Sequence, residues 1–186
     1  MSLRYIKLTV GSTPIGKAVT WSYPNHDGNF YVIPTYDMHV SGTNDSGRVS
    51  PKIFEVIRFG VHRRSTNSNV TVVGLADPQT HTIGKWIGSY KVHSYQSKED
   101  GAWQVYGNYL IHDGPDNPMA EAYATAGCIE VCGGPKGFVI FNDFIVSLSG
   151  TKKAARTDKL SEIGGSGKMS IHYLAASRPP LQKRSP

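Results

Sequence analysis

The stretch Tyr109–Gly134, with the sequence YLIHDGPDNPMAEAYATAGCIEVCGG, decides how the rest of the chain is arranged. It opens as an apolar run that ends at His112, and a loop rich in glycine, proline, aspartate and asparagine follows. The helix-forming run Met119–Ala124 comes next, and the small residues Thr125–Gly127 lead to a second apolar run that begins at Cys128. The pattern predicts two neighbouring strands joined by a turn-rich connection with a short helix.

A histidine at the end of one strand and a cysteine at the start of the next predict a thiol–imidazole pair. An imidazole close to Cys128 would lower the pKa of the thiol and hold it as the nucleophilic thiolate. A cysteine in an apolar run is more often a buried hydrophobic residue. However, Gly127 lets backbone or substrate come close and leaves its N–H available for a reacting oxygen. We therefore interpret Cys128 as the nucleophile, His112 as its base, and Cys132 as a packed residue.

The same residues resemble the catalytic motif of the YkuD-type L,D-transpeptidase family, in which a histidine and a spacer precede Ser/Thr-x-Gly-Cys and an aliphatic residue. Here fifteen residues separate His112 from Cys128, and the second half of the motif reads Thr125–Ile129. The resemblance covers a motif core at residues 107–150. It implies a β-sandwich and an acyl-thioester mechanism on peptidoglycan stem peptides. Cys128 would release a terminal D-alanine, and an amine (L,D-transpeptidase) or water (L,D-carboxypeptidase) would take the acyl group.

Two positions depart from the family pattern. The family often has histidine directly before Gly-Cys, where this chain has Ala126, and usually has Arg or Asn two residues after the cysteine, where this chain has Glu130. A carboxylate close to the nucleophile would change the choice of substrate or the pKa of the thiol. The departures leave two alternatives open: a non-catalytic cell-wall-binding module of the same fold, and a cysteine amidase with a non-wall substrate.

Several neighbours of the pair are further candidates. Asp113 would orient the imidazole of His112 or anchor the turn that follows. The backbone amides of Gly127 and Cys128 are candidate donors to an oxyanion. The candidate contacts to substrate are Thr125, Tyr109, Asn117 and Glu130, although Asn117 before a proline is also simple turn chemistry.

Length and composition predict one mainly β domain. A chain of 186 residues can bury its own core without disulfides or metals. Its 20 glycines, 11 prolines and 10 tyrosines fit a turn-rich β protein. We expect residues 1–176 to form a single catalytic domain, a β-sandwich or barrel-like L,D-transpeptidase-type fold with one or two short helices. We expect residues 177–186 to be a disordered tail.

Three other segments carry specific expectations. Phe138–Leu148 has apolar residues at three- and four-residue spacing and a glycine stop after it, which predicts a helix. Lys152–Lys168 is charged and glycine-rich, which predicts a mobile loop. The run from 53 to 61 predicts a single strand. Alternation places on its core face Ile53, Glu55, Ile57, Phe59 and Val61.

The net charge of +6 suggests a nucleic-acid partner, but the basic residues are scattered and no aromatic ladder accompanies them, so we expect none. No apolar run reaches the roughly 18 residues that span a membrane, so we expect no membrane insertion. Residues 1–17 lack the features of a Sec signal peptide. For a protein acting in the bacterial periplasm or cell wall, this predicts export by a dedicated secretion system. An interbacterial toxin with a neutralising immunity protein as partner would fit that route.

A zinc site is the alternative use of these side chains. His112, Cys128, Cys132 and one more histidine would supply four ligands. However, residues four apart on one strand lie about 13 Å from each other, too far to share an ion or a disulfide. We expect no metal and no cofactor. His81 and His93 precede the histidine strand and are candidates to line a cleft.

Overall fold

The computed structural model describes residues 2–64, 70–91 and 99–185 of the chain. It is 46% strand and 13% helix, which confirms the predicted mainly β fold with one or two short helices. In chain order the elements are β1 (Ile6–Tyr23), β2 (Tyr31–Asn44), β3 (Gly47–Arg48), β4 (Lys52–Ile57), β5 (Phe59–Arg63), β6 (Val70–Gly74), β7 (Gln79–Thr82), β8 (Lys85–Ile87), β9 (Ala102–Tyr106), β10 (Tyr109–Asp113), β11 (Tyr123–Ala124), β12 (Ile129–Val131), α1 (Gly137–Ser149), α2 (Arg156–Gly165), β13 (Met169–Tyr173) and β14 (Gln182–Lys183).

The long strands β1 and β2 form an antiparallel hairpin that is the spine of the sheet. They pair from Ile6 opposite Gly42 to Thr20 opposite Tyr31. Buried and more exposed side chains alternate along much of both strands, as expected where one face packs on a core. The sheet runs in the order β6-β5-β1-β2-β4-β12-β10-β9-β8, and it is consistent with a β-sandwich. This order places β10 beside β12.

Strand β10 carries His112, and strand β12 begins directly after Cys128. They are parallel, with Ile111 opposite Ile129 and His112 opposite Glu130. Parallel neighbours need a crossover rather than a tight turn, and the long connection between these strands supplies it. Ile111 and Ile129 are fully buried in the main core. Because side chains alternate along a strand, His112 and Glu130 lie together on the opposite face.

Helix α1 covers the main core with the apolar face that the sequence predicts. Phe138, Phe141, Ile145 and Leu148 are at most 1% exposed. Each contributes roughly 1.5–3 kcal/mol of stability by leaving water. The helix ends at Gly150 in the left-handed conformation, with φ at 75°. The predicted helix over 138–148 is therefore confirmed. Among the described residues, no helix is long and apolar enough to cross a membrane.

The segment Lys152–Lys168 contains helix α2, so the prediction of a mobile loop is wrong. Leu160 and Ile163 lie on one face of this helix and are buried in the main core. The hydroxyl of Thr151 donates to the Glu162 carboxylate at 2.5 Å. Two apolar residues among charges and glycines form a weak sequence signal, yet they are enough to bury one helix face.

Residues 119–124 form a turn and strand β11 rather than the short helix that the sequence predicts. Strand β11 pairs in parallel with β1, Thr20 opposite Tyr123. The hydroxyl of Thr20 also donates to the carbonyl of Tyr123 at 2.6 Å. A six-residue run is too short to nucleate a helix by itself, so pairing with β1 decides its conformation.

The predicted single strand over 53–61 is interrupted at Arg58, and its predicted core face is wrong at Ile53 and Glu55. In β4, Ile57 is buried as predicted, but Ile53 is 58% exposed, Glu55 is only partly buried, and Phe54 and Val56 are buried instead. In β5 the expected residues, Phe59 and Val61, are buried. The break between the strands changes which alternate residues face the core, and a uniform period of two cannot anticipate such a break.

The C-terminal residues, for which the sequence predicts disorder, follow the edge of β2. Gln182 and Lys183 form β14 opposite Val32 and Tyr31. The N–H of Arg184 donates to the carbonyl of Phe30 at 2.8 Å. Strand β4 pairs with β2 only from Thr35 onward. The exposed backbone groups at the start of β2 are therefore available to the tail.

Candidate active site

A cavity of about 750 Å³ lies on the face of the sheet that carries His112 and Glu130. It brings the predicted nucleophile and base into one space. The lining residues are Trp21, Tyr23, Pro24, Tyr90, Tyr106, Gly107, Asn108, Tyr109, Leu110, His112, Ala124, Thr125, Ala126, Cys128 and Glu130. The predicted site residues Asp113, Gly127 and Asn117 do not line it.

His112 is held in a defined orientation by the backbone of the next residue. The side chain is buried, and its Nδ1 lies 2.7 Å from the carbonyl oxygen of Asp113. A carbonyl only accepts, so Nδ1 carries a proton, and in the neutral form of the ring the lone pair lies on Nε2. The ring of Tyr90 lies 5.1 Å from the imidazole, centroid to centroid. Asp113 therefore orients the imidazole through its main chain.

Cys128 is partly buried just before β12, beside the turn that joins β9 to β10. Its Sγ lies 3.8 Å from the carbonyl oxygen of Asn108. Burial raises the pKa of the Cys128 thiol to about 11, the backbone N–H of Leu110 lowers it, and the Glu130 carboxyl raises it further. The thiol is therefore protonated at neutral pH in the free protein. This differs from the expected pair, in which the imidazole lowers the thiol pKa.

The turn before the cysteine is tightly packed. Gly127 has a φ of +96°, and a Cβ on it would lie 2.6 Å from the Cα of Gly74 at the end of β6. A Cβ on Gly60 of β5 would overlap the carbonyl of Thr125. The N–H of Gly127 donates to Oγ1 of Thr125 at 3.4 Å. The expected free N–H of Gly127 is thus engaged, and the Cys128 amide remains as the candidate oxyanion donor.

Glu130 is a buried acid in the wall of the same cavity, with 4% of its surface exposed. Burial raises the pKa of Glu130 to about 8, a hydrogen bond with the Thr125 side chain lowers it, and the charge of Asp113 raises it. Thr125 therefore links the turn before Cys128 to the carboxyl that follows it.

Asn117 lies in an exposed turn outside the cavity. Its carbonyl accepts from the N–H groups of Ala120 at 3.0 Å and Glu121 at 2.9 Å. Its side-chain oxygen accepts from the N–H of Met119 at 3.3 Å. These bonds support the turn interpretation, and the structure does not bring Asn117 to the site. Tyr109, by contrast, does line the cavity.

Several lining residues carry no local sequence signal for a site. The aromatic walls come from Trp21 and Tyr23 at the end of β1 and from Tyr90 and Tyr106 elsewhere in the chain. The tyrosine-rich composition was visible in the sequence, but only the sheet order shows which rings converge. His81 stacks on Tyr106 with 4.8 Å between ring centroids and does not itself line the cavity.

The two cysteines have separate environments. Both are free thiols, and Cys132 is buried in a small core cluster with Ile57 and Val61. His93, the other candidate for the cleft, lies outside the described residues. Within residues 2–64, 70–91 and 99–185, no group of three or more His, Cys, Asp or Glu side chains is placed to hold a metal ion.

Comparison with protein-family models, with curated proteins and with solved structures finds nothing that matches this chain. The resemblance to L,D-transpeptidases therefore rests on the sequence motif from His112 to Ile129 alone.

Proposed function

We propose that the protein is a cysteine-dependent L,D-transpeptidase or L,D-carboxypeptidase acting on peptidoglycan stem peptides in the bacterial periplasm or cell wall. One observation supports the proposal: His112 and Cys128 line the same cavity, and the Nδ1–H of His112 donates to the Asp113 carbonyl, so that Nε2 is the basic nitrogen of the neutral ring. A basic nitrogen and a thiol in one aromatic-walled cavity are the parts that nucleophilic acyl transfer needs.

The neutral thiol indicates general-base catalysis rather than attack by a preformed thiolate. Nε2 of His112 would take the Sγ proton as sulfur attacks the substrate carbonyl, and would then return it to the leaving amine. The N–H of Leu110, which lowers the pKa of the Cys128 thiol, would stabilise charge on sulfur as the thioester forms and breaks. Water or an amine then attacks the thioester carbon, and the thiol is restored.

The test is incubation of the protein with tetrapeptide and pentapeptide muropeptides, followed by mass spectrometry. We expect loss of a terminal D-residue, or its exchange for an added D-amino acid, and we expect Cys128→Ala to abolish both. Cys132→Ala is the matched control, because it removes the buried thiol of the second cysteine, which does not line the cavity. Equal turnover by wild type and Cys128→Ala would refute the proposal.

A non-catalytic cell-wall-binding module is the second candidate. The raised pKa of the Cys128 thiol and the engaged N–H of Gly127 favour it, because both are unusual for an activated nucleophile. It predicts sedimentation with purified peptidoglycan that survives Cys128→Ala, together with no change in any muropeptide. Turnover that depends on Cys128 would eliminate this candidate.

A further inference from the structure

Two further cavities lie side by side where the C-terminal residues follow the start of β2. Val32 and Gln182 line the first, of about 470 Å³, and Phe30 and Arg184 line the second, of about 510 Å³. Gln182 is opposite Val32 in the β14–β2 ladder, so the two cavities are two residues apart, roughly 7 Å, on both chain segments. We call the two cavities together the tail groove, and its lining residues lie within 12–17, 28–36 and 177–185.

The tail groove carries four cationic side chains, all of them exposed. Lys17 and Arg178 line the first cavity, Arg184 lines the second, and Lys183 lies between the cavities on β14. The strand pairing spreads these cations along the start of β2, over roughly 13 Å from the position opposite Lys17 to the position that bonds to Arg184. Of the described residues that line either cavity, none is an aspartate or a glutamate.

Two carboxylates near the groove accept hydrogen bonds from neighbouring side chains. Tyr31 donates to Asp27 at 2.5 Å, and Thr35 donates to Glu55 at 2.6 Å. Neither acid lines the groove. The cations therefore set the sign of the electrostatic potential inside it.

Backbone contacts fix the spacing of the cations. The guanidinium of Arg178 donates to the carbonyl oxygens of Val72 at 3.1 Å and Gly74 at 3.4 Å, which anchors the tail to β6. Further along the tail, main-chain hydrogen bonds to the start of β2 position Lys183 and Arg184. The line of cations is therefore a feature of the fold.

The walls of the tail groove favour a linear anion without aromatic rings. Among the described lining residues the aromatic ones are Tyr36, which is 2% exposed, and Phe30, which is 41% exposed. Single-stranded nucleic acids stack successive bases on exposed aromatic faces, and one exposed ring does not provide a series of them. The first cavity is lined instead by four prolines, Pro14, Pro34, Pro179 and Pro180.

We propose that the tail groove binds a linear polyanion of the phosphodiester type that carries no bases, such as a poly(glycerol phosphate). Its phosphates would pair with Lys17, Arg178, Lys183 and Arg184, and its polyol would contact the proline walls. The groove shares no lining residue with the cavity of Cys128. The inference therefore goes beyond the proposed function, because it describes a second site that would hold the protein on an anionic polymer and leave Cys128 accessible.

The test is the fluorescence anisotropy of an end-labelled poly(glycerol phosphate), titrated with protein at several salt concentrations. The groove variant carries Lys17→Gln, Lys183→Gln and Arg184→Gln. The matched control removes the same charge from exposed positions outside the groove and carries Lys7→Gln, Lys136→Gln and Lys153→Gln. Arg178 stays in place in both, because it anchors the tail to β6.

We expect the affinity of wild type to fall as salt is raised, because each phosphate contact releases counterions. The groove variant should bind at least about tenfold more weakly, and the slope of its log affinity against log salt should be smaller by about two. The control should stay within about threefold of wild type. Equal weakening by both variants would show that net charge alone is responsible and would overturn the inference. Tighter binding of a labelled deoxythymidylate oligomer with the same number of phosphates would overturn it as well.

Lysine footprinting of wild type decides the question if the groove variant does not fold. Bound polymer should slow the acetylation of Lys17 and Lys183, whereas Lys7 and Lys136 should react as fast as they do without polymer. Equal protection of all four lysines, or protection of none, would contradict a defined groove. Neither measurement involves Cys128, so the result is independent of muropeptide turnover.

Discussion

At the scale of single residues, Glu130 is the most unusual side chain of the site. A carboxyl group almost without exposed surface is costly to ionise, and Thr125 supplies only part of the compensation. The sequence places an acid two residues after the cysteine, but its burial follows from β12 lying between β4 and β10. Ionisation of Glu130, in the wall of the cavity, therefore destabilises the folded protein.

This cost predicts how stability depends on pH. The pKa of Glu130 is about 8 in the folded protein, against an ordinary value of 4.5, so the unfolded chain loses this proton at lower pH. The contribution of Glu130 to the free energy of unfolding is full below pH 4.5 and falls as pH rises toward 8. Between these two pKa values the slope is about 1.4 kcal/mol per pH unit.

Urea denaturation of wild type and Glu130→Gln across that interval measures the effect. The glutamine variant does not titrate, so we expect it to gain stability relative to wild type with every step up in pH. A difference that stays constant with pH would show that Glu130 ionises as it does in an unfolded chain.

At the scale of elements, the turn from Thr125 to Gly127 is positioned by the strands beneath it. Gly60 of β5 and Gly74 of β6 have no side chains where this turn approaches them, and β11 ties its start to β1. Gly60 and Gly74, which are both distant from Cys128 in sequence, therefore fix the position of Cys128. Of these three glycines, only Gly127 lies in the sequence motif.

Gly127→Ala should reveal this packing. The substitution adds both the strain of a positive φ and an overlap with the Cα of Gly74, whereas Gly134→Ala adds the strain alone, because nothing lies within 4 Å of a Cβ there. We expect Gly134→Ala to cost about 1–2 kcal/mol. We expect Gly127→Ala to cost at least about 2 kcal/mol more.

The comparison uses the free energy of unfolding from urea titrations of both variants. Equal losses would mean that β6 moves away freely and that close packing does not hold the turn.

At the scale of the whole molecule, Arg58 joins three separate parts of the chain. It is fully buried, and its guanidinium donates to the carbonyls of Gly11 at 2.7 Å, Leu174 at 3.0 Å and Leu75 at 2.5 Å. These carbonyls belong to β1 and to the segments after β13 and β6. The ring of Tyr173 lies 5.5 Å from the guanidinium carbon. A planar group with five donors suits such a junction better than lysine would.

Arg58→Met keeps most of the buried volume and removes every donor. Three carbonyls, that of Gly11 buried and those of Leu174 and Leu75 partly buried, would then lack this partner, so we expect a loss of about 3 kcal/mol in the free energy of unfolding. Arg48→Leu, on exposed β3, is the control and should change stability by less than about 0.5 kcal/mol. A loss at Arg58 as small as at Arg48 would show that water replaces the guanidinium.

Local patterns in the sequence were sufficient for part of the fold. The spacing of Phe138, Phe141, Ile145 and Leu148 predicted helix α1, and the glycine after it predicted its end. Composition predicted a mainly β chain. These features depend on contacts within a few residues or on amino-acid content. The same kind of reasoning failed for Met119–Ala124, where a partner strand distant in sequence outweighed local helix preference.

The sequence by itself singled out a strand-end histidine and a cysteine after a glycine as candidates for one site, and it determined the mainly β class of the fold. Only the tertiary structure decided the tautomer of the neutral His112 ring, the burial of Glu130 and the aromatic walls, whose rings at Trp21, Tyr23, Tyr90 and Tyr106 come from three places in the chain. The physical reason is range: residue type and periodicity act along the chain, whereas pKa values and cavities depend on atoms that sheet pairing brings together from far apart.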